Sequence, residues 1–431
     1  MKYLISTLGC KVNQYETQAM ETILLSRGHR PAAPGETADA VIVNTCAVTA
    51  ESGRKSRQLI RRLQEENPGA IVGVCGCYSQ LSPEDAARSG AKVIFGTGDH
   101  EGFVRAVEEA FLAGSGEVTD IDDPFRRRIY EELPAGAVSG RTRAMLKIQD
   151  GCVNFCTYCI IPYTRGRLRS LPVEKAAAEA LRLAEDGYRE LVLTGIEIAS
   201  YGVDLPGKPD LVDVVCAIAE NAGDMRIRLG SLEPTVITED FCRKLSESGK
   251  LCRHFHLSLQ SGCDKTLKAM NRKYDTKRFY EAVELLRRSF PGCGLTCDLI
   301  TGFPGETDED FAQTLAFIRQ CAFSDMHIFP YSRRPGTPAD KMPQQCTHAV
   351  KAKRAAQAQA ACEEMHRAFL ESCVGQTLPV LFETETDGRW TGHSDTYVLV
   401  SAEGEQLRNQ LLPVRITAPA GDGLAGIIIK E

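Results

Sequence analysis

The chain has 431 residues, with 51 Lys and Arg against 57 Asp and Glu, and 17 Cys. Its length suggests about two to four domains, and 43% apolar with 25% charged residues excludes disorder, collagen-like repeats and coiled coil for the bulk of it. The net charge of −6 argues against a uniformly basic nucleic-acid binder, and the length excludes a small disulfide scaffold, so the thiols need another explanation.

The first ten residues, Met1–Cys10, hold an apolar run broken by Ser6 and Thr7. It is shorter than the roughly 7–15 apolar residues of a signal peptide. The longest uncharged stretch, Asn67–Pro83, is rich in Gly, Ser and Cys and does not read as a membrane span. A cytoplasmic protein with reduced thiols is expected. There, scattered cysteines read as small core residues and clustered ones as metal ligands.

Along the chain, Tyr3–Leu8, Ala40–Val43 and Ala70–Val74 read as buried strands, each leading into cysteine at Cys10, Cys46 or Cys75/Cys77. Helical patterns lie between them at Thr17–Arg27 and Gly53–Glu66. The alternation predicts a parallel α/β domain over residues 1–125, whose functional edge is at the strand carboxyl ends. Residues 126–142, with an Arg126-Arg127-Arg128 run and Pro134, read as a linker.

Residues 143–371 begin a second α/β series. Its expected strands are Ala144–Ile148, Glu190–Leu193, Arg226–Leu229, Phe255–Leu259, Leu295–Ile300 and Met326–Phe329. Its expected helices are Val173–Asp186, Leu211–Asn221, Glu239–Ser248, Arg278–Ser289 and Glu309–Cys321, with Lys351–Glu371 closing the domain. Six βα units suit a partial (βα)6 version of the TIM-like barrel, with its chemistry at the strand carboxyl ends. Residues 372–431 read as a small β-barrel with strands Leu378–Glu383, Thr396–Val400, Pro413–Thr417 and Leu424–Ile429.

The strongest chemical signal is Cys152-x3-Cys156-x2-Cys159, directly after the first strand of the second series. Three thiolates on one loop can each ligate one iron of a four-iron cluster and leave the fourth iron open. Structural zinc would want a fourth Cys or His nearby, and none stands between Ile160 and Glu190. A redox pair, Cys156 and Cys159, would leave Cys152 unexplained.

This loop is similar to that of the radical S-adenosylmethionine enzymes, and the whole chain resembles their methylthiotransferase family. The resemblance rests on Thr7-Leu8-Gly9-Cys10-Lys11-Val12-Asn13-Gln14-Tyr15-Glu16, on Asn44-Thr45-Cys46, on Gly76-Cys77-Tyr78 and on the Cys152 loop. Gly392-His393-Ser394-Asp395 resembles part of the RNA-holding TRAM domain. Spacing alone leaves Cys75 and Cys77 open, since residues two apart on a strand share a face; the family motif favours Cys77.

The resemblance implies two [4Fe-4S] clusters, an auxiliary one on Cys10, Cys46 and Cys77 and a radical one on Cys152, Cys156 and Cys159, with S-adenosylmethionine cleaved at the second. It implies cofactor contacts at Tyr158, Thr194, Glu197, Ser231, Glu233, Gln260, Arg272, Asp298 and Phe329, with no catalytic residue beyond the clusters. Arg54, Lys55, Arg57, Arg61 and Arg62, then Arg165, Arg167 and Arg169, then Arg333 and Arg334, are candidate phosphate contacts. Trp390 and Tyr397 are candidates for base stacking or for barrel core.

The implied partners are a tRNA substrate and an electron donor such as flavodoxin or ferredoxin, with the enzyme a monomer and no membrane involved. The branch most similar acts on N6-threonylcarbamoyladenosine beside the anticodon. Isopentenyladenosine in tRNA and a ribosomal-protein aspartate are rival substrates, and a non-catalytic iron–sulfur or zinc RNA-binding protein is the rival class.

Overall fold

The computed structural model describes residues 1–136 and 142–429. Most of the expected linker lies within it; positions 137–141 fall outside the described residues. Among the described residues, no helix is long and apolar enough to cross a membrane.

The N-terminal strands are β1 (Lys2–Thr7), β2 (Arg30–Pro31), β3 (Ala40–Thr45), β4 (Ile71–Gly76), β5 (Val93–Phe95) and β6 (Val118–Asp120). They form one parallel sheet in the order β2-β1-β3-β4-β5-β6. In this topology the winding reverses between β1 and β3, which opens a crevice at their carboxyl ends. Cys10 follows β1 and Cys46 follows β3, so both stand at that crevice.

Helix α1 (Lys11–Ser26) starts six residues before the expected Thr17, and α2 (Ala50–Glu66) starts earlier than Gly53. The apolar periodicity is hidden in the first turns of α1 because Asn13, Glu16, Thr17 and Gln18 are buried there beside Val12 and Tyr15. A buried polar run of this kind is costly unless paired, and here it meets partners in another domain.

The second domain uses β7 (Arg143–Asp150), β8 (Arg169–Ser170), β9 (Glu190–Gly195), β10 (Arg226–Leu229), β11 (Ser231–Leu232), β12 (His254–Gln260), β13 (Gly294–Thr301) and β14 (Asp325–Pro330). Two four-stranded sheets, β10-β9-β7-β8 and β11-β12-β13-β14, make an open barrel whose six principal strands are the six expected. Beside β10, Ile227 makes an isolated parallel bridge to Leu251, ahead of β12. Helix α1 packs against β7 and β9.

The closing barrel has five strands, β15 (Thr377–Thr386), β16 (Arg389–Ser394), β17 (Leu399–Glu403), β18 (Leu411–Ala420) and β19 (Gly423–Ile428), in the order β15-β16-β17-β19-β18. Strand β16 was not expected, and Thr396–Val400 is displaced to β17. The inward residues of β16 are Trp390, Gly392 and Ser394, so it lacks the apolar alternation that marks a strand. Gly392 is needed because a Cβ there would stand 2.0 Å from the Leu381 carbonyl oxygen.

Two buried charge clusters hold the three units together. Glu16 of α1 receives both Nη atoms of Arg165, the second at 3.0 Å, and Lys147 Nζ at 3.2 Å. His100 Nε2 lies 3.7 Å from Glu16, and His100 Nδ1 lies 2.8 Å from Glu131. Burial would raise the Glu16 carboxyl, but Arg165, Lys147 and His100 hold it well below the carboxylate range.

At the other junction, Glu190 accepts from Arg226 at 2.6 Å and from Arg228 at 2.8 Å. The remaining N–H groups of these arginines donate to the carbonyls of Pro379, His393, Ser394 and Asp395 on the C-terminal barrel, at 2.8–3.0 Å. A guanidinium whose donors are divided in this way between a carboxylate and backbone carbonyls fixes orientation as well as distance.

Glu16→Gln leaves buried cations without their counter-charge and is expected to cost about 3–5 kcal/mol of unfolding free energy, measured by denaturant titration. The pH profile carries a second expectation. Burial lowers His100, but Glu131 and Glu16 outweigh it and raise it from 6.5 to about 9. Its stabilisation is therefore complete below its unfolded value and is lost as pH rises through about 9, while that of Glu16 is present above its unfolded value and lost in acid. The stability gap between wild type and His100→Gln should shrink from about pH 6 to about pH 10; a constant gap would show that His100 is not held charged.

Candidate active site

The auxiliary triad is assembled by the loops after β1, β3 and β4. Asn13 Nδ2 donates to Leu8 O at 3.1 Å and to Thr45 O at 3.0 Å, and Asn44 Nδ2 donates back to Asn13 O at 3.0 Å. These bonds tie the Cys10 loop to the Cys46 loop. Cys10 Sγ lies 3.5 Å from Asn13 Oδ1.

Cys75 and Cys77 do not share a face, contrary to the strand reading. Cys75 enters the core on the α1 side, with its sulfur 3.9 Å from Met20 Sδ, whereas Cys77 packs with Val43 and Val74 on the other side of the sheet. The cause is Gly76, whose φ of +102° breaks the strand before helix α3 (Cys77–Leu81) begins. A Cβ at Gly76 would stand 2.4 Å from Asn44 Oδ1 and 2.6 Å from Thr45 O, so the turn requires glycine.

Burial raises the thiols of Cys10 and Cys77, and the Arg165 guanidinium pulls both back toward the thiolate. Arg165 and Arg169 are buried, so they are not phosphate contacts; the docking of the domains encloses them with Glu16 and Asp150. Of that cluster only Arg167 is exposed. In the other groups, Arg54 pairs with Glu51, Arg62 with Glu66 and Arg333 with Asp340, while Arg334 donates to the Thr49 carbonyl.

The radical triad sits on the loop after β7. This loop is pinned from below by the Met270–Asn271 turn. Thr157 N donates to Met270 O at 3.0 Å, and Asn271 Nδ2 donates to Asn154 O and Phe155 O at 3.2 and 3.1 Å. Burial pushes the Cys152 and Cys159 thiols up to about 12, and Cys77 adds a smaller push on Cys159. Cys77 of the first triad and Cys159 of the second are thus near neighbours. Helix α3, which begins at Cys77, packs on Ile161–Arg165, the helix that follows Cys159.

The donor sets fit clusters better than single metal ions. A tetrahedral zinc site, with Zn–S of about 2.3 Å, holds its sulfurs about 3.8 Å apart. Among the described residues, neither triad brings its three sulfurs within 4.8 Å of one another, which suits one thiolate per corner of a cubane.

Several expected cofactor residues converge beside Cys156. Arg272 Nη2 lies 2.7 Å from Glu233 Oε1, its Nη1 is 3.2 Å from Cys156 Sγ, and its Nε donates to Tyr274 Oη at 3.0 Å. Asn154 Nδ2 bridges Glu197 and Glu233 at 3.4 Å each. Burial, then the neighbouring Glu233, raises the Glu197 carboxyl to about 8. Tyr158 packs with Met270, Phe303 and Tyr331.

Asp298 and Phe329 belong to a different group, in the barrel lumen. Asp298 sits 3.3 Å from His256 Nε2 and 3.3 Å from His327 Nδ1, and the Phe329 ring stands 6.4 Å from the His327 ring. Thr194 is buried at the end of β9, Ser231 is exposed on β11, and Gln260 ends β12 with a left-handed φ of 66°. Among the described residues, no hydrogen bond joins these three side chains to the Arg272 group. Sequence reasoning missed Asn154, Tyr274, His256 and His327. His256 carried a signal, since His254, His256 and Ser258 are polar at every second position of an otherwise apolar strand.

Neither aromatic candidate offers a free face for bases. Trp390 is buried in the C-terminal barrel. Tyr397, at a left-handed φ of 71°, turns its ring out of that barrel onto His254 at 4.7 Å, His393 at 5.0 Å and the Arg228 guanidinium at 4.8 Å.

Residues 146–318 match the Radical SAM superfamily and residues 2–96 match the uncharacterized protein family UPF0004. The chain is 38% identical over 419 residues to the threonylcarbamoyladenosine tRNA methylthiotransferase MtaB of Bacillus subtilis, covering 95% of this chain and 92% of that protein. The chain belongs to the radical S-adenosylmethionine methylthiotransferase family. MtaB of Thermotoga maritima is 34% identical, covering 97% of this chain and 95% of that protein. A tRNA-2-methylthio-N(6)-dimethylallyladenosine synthase from Pelotomaculum thermopropionicum is also 34% identical, covering 99% and 97%. Among solved structures, the radical S-adenosylmethionine methyltransferase TsrM of Kitasatospora setae shares the fold, with a TM-score of 0.57 at 15% identity over 90% of this chain and 79% of that one. Methylthiotransferases of this family work with S-adenosylmethionine and two [4Fe-4S] clusters.

After anaerobic reconstitution with iron and sulfide, wild type should carry about eight irons, and Cys152→Ala or Cys10→Ala about four. Cys75→Ala should keep all of them, because its sulfur lies in the apolar core on the other face of the sheet. An iron count that halves in Cys75→Ala would reverse the choice of Cys77.

Proposed function

We propose that this enzyme is a tRNA methylthiotransferase that converts N6-threonylcarbamoyladenosine beside the anticodon to its 2-methylthio derivative. The observation that supports the reading is the proximity of the two cysteine triads, which lie on separate domains with Cys77 close to Cys159. A methylthiolation needs a radical generator and a sulfur carrier within reach of the same carbon, and this arrangement provides a place for each. The choice of nucleoside is supported by the identity to the two MtaB proteins over nearly their full length.

In this reading Cys10, Cys46 and Cys77 hold the auxiliary cluster and Cys152, Cys156 and Cys159 the radical cluster. When bound, the clusters and S-adenosylmethionine supply the radical chemistry and the methylthio group. The protein's own side chains orient and insulate. Arg272, held between Glu233 and Cys156, presents a fixed cation to the radical loop and suits the methionyl carboxylate. Glu197, drawn toward its neutral form by burial and Glu233, accepts from Asn154 Nδ2 and can accept from an amino group of the cofactor. Tyr158 gives the adenine an apolar wall, and the packing of α1 against β7 and β9 helps to exclude water. Thr194, Ser231, Gln260, Asp298 and Phe329 complete the proposed lining. A flavodoxin or ferredoxin supplies electrons, and the enzyme acts as a monomer in the cytoplasm.

Mass spectrometry of tRNA nucleosides from a deletion strain tests this. Methylthio-threonylcarbamoyladenosine should disappear and its precursor accumulate. If it persists while the methylthio derivative of isopentenyladenosine disappears, the substrate is the other nucleoside.

A further inference from the structure

A cavity of about 360 Å³ lies in the barrel lumen, where α1, strands β7, β9 and β10, and the C-terminal barrel meet. Its walls carry four cations, Lys11, Arg143, Arg228 and Arg408, and a single carboxylate, Glu383, with the Tyr397 ring beside them. The size is within the range of small-ligand sites. The charge is not what a cavity reserved for an apolar group would hold.

The cations are not equivalent. Arg143 Nε lies 2.8 Å from Glu383, and Arg228 is spent on Glu190 and on backbone carbonyls. Lys11 differs. Among the described residues it has no ion pair and no hydrogen bond, and its ammonium stands 5.9 Å from the centre of the Tyr397 ring. It is exposed to the cavity from the first turn of α1, immediately after Cys10. Gln14, one helical turn on, lines the same wall. An ammonium that sits beside Cys10 at the wall of this cavity, with no ion pair among the described residues, is arranged for an anionic group on whatever the cluster acts upon.

The two nucleosides of the family differ in this respect. A threonylcarbamoyl substituent, joined through the threonine nitrogen, keeps a free α-carboxylate; an isopentenyl substituent carries no charge. We propose that Lys11, with Gln14 beside it, binds the carboxylate of the threonylcarbamoyl group in this cavity, and that the contact selects this nucleoside over the isopentenyl one. The inference rests on the substrate assignment above and adds the residue that enforces it. The geometry also explains why the site belongs to three domains at once: α1 brings Lys11, the barrel brings Arg143 and Arg228, and the C-terminal barrel closes the floor with Tyr397.

The test uses the full-length enzyme with anticodon stem-loop RNAs that carry threonylcarbamoyladenosine, its methyl ester at the threonyl carboxylate, or isopentenyladenosine. Binding is read by fluorescence anisotropy and turnover as KM and kcat. Wild type should prefer the acid over the ester by about 10- to 100-fold in binding. Lys11→Met should weaken the acid by a similar factor, leave the ester unchanged, and act on KM more than on kcat. Lys11→Arg should restore most of the preference. Equal weakening of acid and ester by Lys11→Met would mean that Lys11 meets an RNA phosphate or only supports the fold, and would overturn the proposal. So would a wild type that binds acid and ester alike. Failure of the substrate assignment reads differently: the threonylcarbamoyl RNA is then left unmodified by wild type, which methylthiolates the isopentenyl RNA instead.

Discussion

The architecture depends on one carboxylate. Glu16 lies on the first helix of the N-terminal domain and is fully buried against Arg165, Lys147 and His100. Arg165 follows the Cys152–Cys159 loop and Lys147 lies on the first barrel strand, so the cluster joins the two domains beside Cys10 and Cys77. A carboxylate in that place is tolerable only because several cations surround it, and each cation only because the carboxylate is there. Such mutual dependence makes the junction orientation-specific. Apolar packing alone would allow the domains to slide, and a slide of a few ångströms would separate Cys77 from Cys159.

The same logic recurs at the floor of the barrel. Glu190 holds two arginines whose spare donors seize four carbonyls of the C-terminal barrel. This domain is therefore docked through its backbone, not through a basic surface. From Cys373 onward the sequence has four Lys and Arg against eight Asp and Glu. In the structure the domain also closes the lumen, and its buried turn residue Asp395 is paired with Arg253 at 2.6 Å.

Much of the fold was legible in the chain. The six principal barrel strands stand where their apolar, β-branched runs put them, because a buried parallel strand needs no partner to be recognised. The Cys-x3-Cys-x2-Cys loop was legible because its three ligands lie within a single turn of chain. What was not legible shares one physical cause. The start of α1, the burial of Arg165 and Arg169, the turning of Tyr397 and the separation of Cys75 from Cys77 all depend on what a polar or glycine residue meets in space. Propensity and periodicity report which side chains avoid water; they are silent on which charge a buried charge will find.

By itself the sequence determined the family, the three-unit order and the loops that carry the six cysteines, since these follow from local pattern and short-range spacing. Only the tertiary structure decided which residues face one another. It turned Arg165 from a candidate phosphate contact into a buried docking group, sent Cys75 and Cys77 to opposite faces through the left-handed turn at Gly76, and left Lys11 as an ammonium over a cationic cavity. The reason is that electrostatic pairing between residues more than 100 positions apart is a property of the assembled surface, and no segment of the chain contains both partners.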